Sequence, residues 1–176
     1  MLQKDNRTKL LSVFMDDPLR KEGFQLRELS RTIDVAPPSI KRYLNEFEKE
    51  HFIQKRIIRG YPVYFANRDS DYFTFLKKLH TLAQLYESTL INYLNDNCMP
   101  DVIILFGSAS RGEDVKESDI DVFVSSKKVA LNLAAYEKAI GRTINILFEP
   151  HFNKLSSELK NNILNGIPLK GYLKVF

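Results

Sequence analysis

Residues 102–124, VIILFGSASRGEDVKESDIDVFV, constrain the fold more than any other stretch of the chain. An apolar run from Val102 to Phe106 stops at Gly107-Ser108. A polar loop carries Arg111 and Gly112, and Ser118-Asp119-Ile120-Asp121 then opens a second apolar run, Val122-Phe123-Val124. Short apolar runs bounded by turn residues predict two strands joined by that loop. Glycine at the end of the first strand lets the backbone approach a ligand closely. Free N–H groups and a hydroxyl at such a turn suit phosphate. In a strand, Asp119 and Asp121 share one face, about 7 Å apart along the backbone at about 3.3 Å per residue. Two neighbouring carboxylates repel unless a cation sits between them, and oxygen ligands favour Mg²⁺. The stretch predicts a metal-assisted phosphate site.

The remaining composition bounds where such a site can work. A chain of 176 residues holds one large domain or two small ones. A single cysteine, Cys98, excludes an internal disulfide framework and agrees with a reducing compartment. No apolar run reaches the roughly 18 residues of a membrane span, so no membrane partner is expected. The start, MLQKDNRTKLL, lacks the apolar core of a signal peptide, so a cytoplasmic location is expected. The net charge of +4 is uneven: residues 1–68 hold 14 Lys+Arg against 9 Asp+Glu. That excess suits either a polyanion partner or a solvated basic surface.

Helical spacing of Leu10, Leu11 and Phe14 predicts a helix over 5–16, ended by Asp17-Pro18. Leu26, Leu29 and Ile33 mark a second helix, about 25–34. Pro37-Pro38 opens a third that runs to about Glu50, with Ile40, Leu44 and Phe47 inward and Ser39, Lys41, Arg42, Tyr43 and Asn45 on its other face. Ile53–Ile58 and Tyr61–Phe65 flank Arg59-Gly60 as a hairpin.

Three helices followed by a basic-tipped hairpin resemble the winged helix-turn-helix DNA-binding family, over LRELSRTIDVAPPSIKRYLNEFEKEHFIQKRIIRGYPVYFAN. The resemblance implies a double-stranded DNA partner. Ser39, Lys41, Arg42 and Tyr43 would face the major groove, with Lys55, Arg56 and Arg59 on the wing. His51 departs from the pattern, which usually has Gly after the helix. Use of the same layout for protein contact is the alternative.

Asp69-Ser70 caps a predicted long linking helix, about 71–96. Its stripe, Phe75, Leu79, Leu82, Tyr86, Leu90, Tyr93 and Leu94, is expected to pack as core, or to serve as a homodimer seam. Beyond the opening stretch, a helix is expected over 129–140 and a third strand over Ile144 to Phe148. A last helix, about 153–165, is followed by a non-helical tail that contains Pro168 and Gly171.

The pattern GSxxxGxxxxxSDxD, Gly107 to Asp121, resembles the signature of the DNA polymerase β-type nucleotidyltransferase superfamily. Residues 97–176 resemble its minimal nucleotidyltransferase branch. The resemblance implies that Gly107 and Ser108 hold the phosphates of a nucleoside triphosphate. Asp119 and Asp121 would hold Mg²⁺ (or Mn²⁺), with Arg111 as a nearby cation, Gly112 and Ser118 completing the nucleotide-binding set, and Ser118 orienting the Asp119 loop. It further implies transfer of a nucleoside monophosphate to a hydroxyl acceptor, for which a tyrosine of a small toxin-like protein partner is one candidate. The family places a third catalytic carboxylate where this chain has Asn145; Glu149 shares that strand face four residues on. The alternative is a weakly active or inactive nucleotide-sensing regulator or antitoxin-like binding protein. The expected fold class is α+β: a winged helix-turn-helix over 1–68, a linking helix over 69–96 and a small mixed-sheet transferase-like domain over 97–176.

Overall fold

The structure, a computed structural model, describes residues 5–175. The chain is α+β and divides into two compact units, Met1–His80 and Thr81–Phe176.

In the first unit three helices, α1 (Asn6–Asp16), α2 (Leu26–Ile33) and α3 (Pro37–Lys49), precede a hairpin of β1 (Ile53–Ile58) and β2 (Tyr61–Ala66). Asp5 caps α1, its carboxylate accepting the Thr8 N–H at 2.7 Å, and that bond holds the carboxyl below its usual range. The three predicted apolar faces meet in one core: Leu10, Phe14, Leu29, Ile40, Leu44 and Phe47 are all fully buried. β1 and β2 pair antiparallel from Ile53↔Ala66 to Ile58↔Tyr61. Arg59 and Gly60 both have positive φ, 50° and 82°, as a two-residue hairpin turn matched to strand twist requires. His51 takes the left-handed conformation usual for glycine, φ 58°. Phe24 adds a short bridge to the outer edge of β2, exchanging backbone hydrogen bonds with Tyr64.

The expected single helix over 71–96 is broken. α4 (Asp71–Glu87) ends and α5 (Leu90–Cys98) begins beyond Ser88-Thr89, where Thr89 has φ 63°. The Ser88 hydroxyl donates to Leu85 O and accepts the Leu90 N–H, and such local side-chain bonds compete with the helical ladder. The stripe divides accordingly. Phe75, Leu79 and Tyr86 are about half exposed, at 49%, 46% and 55%, whereas Leu90 and Leu94 are core.

The second unit is built on a four-stranded mixed sheet, in the order β5-β4-β3-β6: β3 is Val102–Phe106, β4 Ile120–Val124, β5 Ile144–Phe148 and β6 Ile167–Gly171. β3 pairs antiparallel with β4 and β6, and β4 runs parallel to β5. A parallel neighbour needs a crossover. It contains α7 (Ala134–Ile140), shorter than the helix expected over 129–140. One sheet face, with Ile103, Leu105, Val122 and Val124, packs with Leu90 and Leu94 of α5. The other, with Ile104, Phe106 and Phe123, packs with Phe152 and Ile163. A short 3-10 turn (Phe152–Lys154) and α8 (Ser157–Leu164) replace the expected helix over 153–165. The tail read only as non-helical supplies the edge strand β6, where Pro168 is tolerated. No helix among the described residues is long and apolar enough to cross a membrane.

Candidate active site

β3 ends, and β4 and β5 begin, at the same end of the sheet. Register places Phe106 opposite Asp121 and Asp121 opposite Asn145. Strand alternation puts Asp121 on the face of Phe123, with Ile120 and Val122 turned to the opposite core. The strand pattern thus brings Gly107, Asp121 and Asn145 together although 38 residues of sequence separate the first from the last.

Gly107 is required by a close approach. Its φ is +73°, and a Cβ placed there would come within 2.6 Å of Asp121 Oδ2. Asp121 Oδ1 accepts a hydrogen bond from Asn145 Nδ2 at 3.0 Å. A carboxylate only accepts, so Asn145 presents its nitrogen and orients Asp121. Asp119 lies one residue before β4 and is exposed; Asp121 is half-buried inside the strand. The expectation that both carboxylates share a regular strand face therefore holds for Asp121 and ends short of Asp119. Glu149 lies beyond the far end of β5, where its backbone N–H bonds Val124 O and its Oε1 accepts the His151 N–H. It is about 13 Å from Asn145 along the strand and supplies nothing at this end.

The segment after β3 was expected as loop. Its first part is a short helix, α6 (Gly107–Arg111), closed by Gly112 in the left-handed conformation, φ 73°. Ser108 is half-buried, and Ser110, absent from the sequence reading, holds the turn by donating to Gly107 O at 2.8 Å. Arg111 is exposed and paired with Glu113 at 2.7 Å. Ser118 accepts the Val115 N–H, so its hydroxyl closes the turn leading to Asp119.

Arg142 is the residue that sequence reasoning missed. Its Nη1 meets the fully buried side chain of Asp114 at 2.6 Å, and its Nε donates to Ser118 O at 2.9 Å. Nη2 reaches Asp119 O at 3.4 Å. One guanidinium fork, itself 11% exposed, thereby ties the 114–119 segment to the start of β5. Only the placement of Arg142 after Gly141, two residues before β5, hinted at this position.

Asp119 and Asp121 are the residues that could hold a divalent cation. Among the described residues no group of three or more His, Cys, Asp or Glu could hold a metal unaided. Two carboxylates fit a Mg²⁺ ion that completes its shell with phosphate oxygens and water.

The basic residues expected to face DNA lie in the other unit. Lys41 and Arg42 are exposed on α3, and Arg42 stacks on Tyr43 at 4.7 Å. Ser39 is half-buried, and Tyr43 also packs against the first unit's core. Lys55, Arg56 and Arg59 are exposed on the hairpin. Arg56 folds over Phe65 rather than standing free.

A comparison with curated proteins found no match to the chain. Residues 88–171, which contain the whole sheet and both aspartates, match the family model described as polymerase beta, nucleotidyltransferase, and so support the nucleotidyltransferase part of the sequence reading.

Proposed function

We propose that the second unit binds a nucleoside triphosphate with a divalent cation and transfers its nucleoside monophosphate to a hydroxyl acceptor. The observation that carries this reading is the contact of the Gly107 backbone with the Asp121 carboxylate, within a segment that matches a nucleotidyltransferase family model. Backbone N–H groups at Gly107 and Ser108, with the Ser108 hydroxyl, would cradle the β- and γ-phosphates. Asp119 and Asp121 would hold the Mg²⁺ (or Mn²⁺), whose charge offsets that of the triphosphate and the departing pyrophosphate. In the transfer, an acceptor oxygen bonds the α-phosphorus, the α–β bridging bond breaks, pyrophosphate leaves, and the acceptor proton passes to solvent. Incubation with each labelled NTP and Mg²⁺ or Mn²⁺, with candidate protein acceptors, tests it. Pyrophosphate release with a labelled acceptor supports it; an unchanged signal in Asp121→Ala removes it.

One observation favours a second reading. With Asn145 donating to Asp121, the site has two carboxylates and an amide, a donor set better suited to holding one cation with a nucleotide than to turnover. Nucleotide binding that requires Asp121, without pyrophosphate release against any acceptor, would select this sensing role.

For the first unit we propose the winged helix-turn-helix reading, with α3 entering the major groove of DNA through Ser39, Lys41, Arg42 and Tyr43. Lys55, Arg56 and Arg59 would touch backbone phosphates. The basic excess of residues 1–68 and the helix–helix–helix–hairpin order support it. Duplex binding that weakens with salt, and further in Arg42→Ala, is the expected result; no duplex binding at low salt excludes it.

A further inference from the structure

A cavity of about 360 Å³ opens in the first unit between the segment after α1 and the outer face of the hairpin. Its wall brings together Arg20, Lys21, Arg56 and Arg68 from three separate stretches of sequence, against a single carboxylate, Asp69. None of its residues belongs to α3, and Arg56 is the one residue it shares with the wing contacts proposed for DNA.

Gly23, φ +63°, lies so close to the hairpin that a Cβ there would come within 2.5 Å of Val63 and 2.7 Å of Phe65. The turn that follows Arg20 and Lys21 is therefore held close against β2. Two of the guanidinium groups are held in advance of any ligand. Arg56 lies over the Phe65 ring at 4.9 Å and donates to Gln54 Oε1 at 3.2 Å. Arg20 lies over Phe24 at 4.7 Å and pairs with Glu28 at 2.6 Å. A guanidinium has five N–H donors, and Arg56 donates one of its own to Gln54, so its fork can still meet a further oxyanion. Glu28 already answers Arg20, so Arg56 would supply the fork that matches phosphate oxygens, with Lys21 adding positive charge. The volume lies at the lower end of the range for small-molecule pockets, which suits a mononucleotide or a short phosphate chain. Leu19, 56% exposed, adds an apolar surface for a nucleoside.

We propose that this cavity is a binding site for a small oligophosphate anion, either a free nucleotide or a bare phosphate chain, separate from the candidate active site and not dependent on a metal. It gives the basic unit an effector site of its own.

Isothermal titration of the full chain with ATP and, separately, with tripolyphosphate, both in EDTA at fixed ionic strength, tests this. EDTA silences the metal-dependent nucleotide binding proposed for Asp119 and Asp121. The expected result is one-site binding of either anion, weakened about tenfold in Lys21→Glu, since a charge-assisted contact is lost and repulsion added. Lys21 is exposed, so that variant retains the fold; Arg56→Ala provides a second reading of the same wall. Asp121→Ala and the second-unit control Lys127→Glu should stay within about twofold of the parent, since neither residue lines the cavity. Binding of ATP alone assigns a nucleotide, and equal binding of both assigns the phosphate chain. Four results overturn the proposal: no binding in EDTA, equal weakening by Lys127→Glu, loss in Asp121→Ala instead of Lys21→Glu, or Lys21-dependent binding of duplex DNA with neither small anion bound.

Discussion

Asn145 Nδ2 donates to Asp121 Oδ1 at 3.0 Å across the parallel pairing of β4 and β5. The residue where the resembled family has a third carboxylate is thus a hydrogen-bond donor to the second. Asn145→Asp replaces this bond with two carboxylates in register. Without a divalent cation, the variant should lose about 0.5–1.5 kcal/mol of stability, from the lost exposed bond and the like charge. A cation would bridge the pair, so Mg²⁺ or Mn²⁺ should raise its melting temperature more than that of the parent. Equal rises in both proteins would show that no cation sits between positions 121 and 145. Pyrophosphate release that appears only in the variant would identify the parent as a binder.

Gly107→Ala tests the close approach directly. Alanine at φ +73° costs about 1–2 kcal/mol in backbone strain, and its methyl would displace the Asp121 carboxylate. Stability should fall by that amount or more, and Mg²⁺-dependent nucleotide binding should fall further than global unfolding accounts for. Gly141→Ala is the control: it has the same left-handed backbone, φ 77°, with open space around it. It should lose stability and keep binding; matching losses of binding in both variants would remove the proposed role of the Gly107 approach.

Much of the site was legible because strand chemistry is local. Gly107, Asp121 and Asn145 could be assigned to strand ends from apolar runs alone, and register then joined them. Two classes of feature were not legible. The first is competition by hydroxyls: Ser88 breaks the α4–α5 helix and Ser118 closes its turn with no Gly or Pro to signal either. The second is pairing across sequence. β6 contains Pro168 and Gly171, which argue against regular structure until β3 is known to need an edge partner. Arg142 looks like a solvated residue after a helix until Asp114 is seen buried beside it. The stripe of α4 shows the converse error, since helical spacing at Phe75 and Leu79 identified a helix without identifying a buried face.

Arg59→Gly separates fold from the proposed DNA contact by sign. Arg59 occupies φ 50° in the two-residue turn, a conformation glycine adopts without strain. The variant should gain up to about 1 kcal/mol, read as a higher urea midpoint. If Arg59 touches a phosphate, duplex affinity measured by fluorescence anisotropy should fall and its salt slope decrease by about one. A stability gain with unchanged affinity would remove Arg59 from the DNA-contacting set.

The Arg142–Asp114 pair gives the last prediction. Arg142→Met leaves a buried carboxylate without its guanidinium and should cost about 3–5 kcal/mol, enough to unfold a small unit. Arg142→Lys is more informative. It keeps a positive charge near Asp114 but loses the fork that also reaches Ser118 O and Asp119 O. The backbone before β4 should loosen while the sheet stays folded. Asp119 is the exposed carboxylate at that segment's end, so the divalent concentration needed for nucleotide binding should rise severalfold, with a smaller change in the nucleotide concentration needed at saturating metal. Titration of nucleotide binding against Mg²⁺ at fixed protein measures this. A drop in melting temperature with the Mg²⁺ midpoint unchanged would make the pair a fold element with no hold on Asp119.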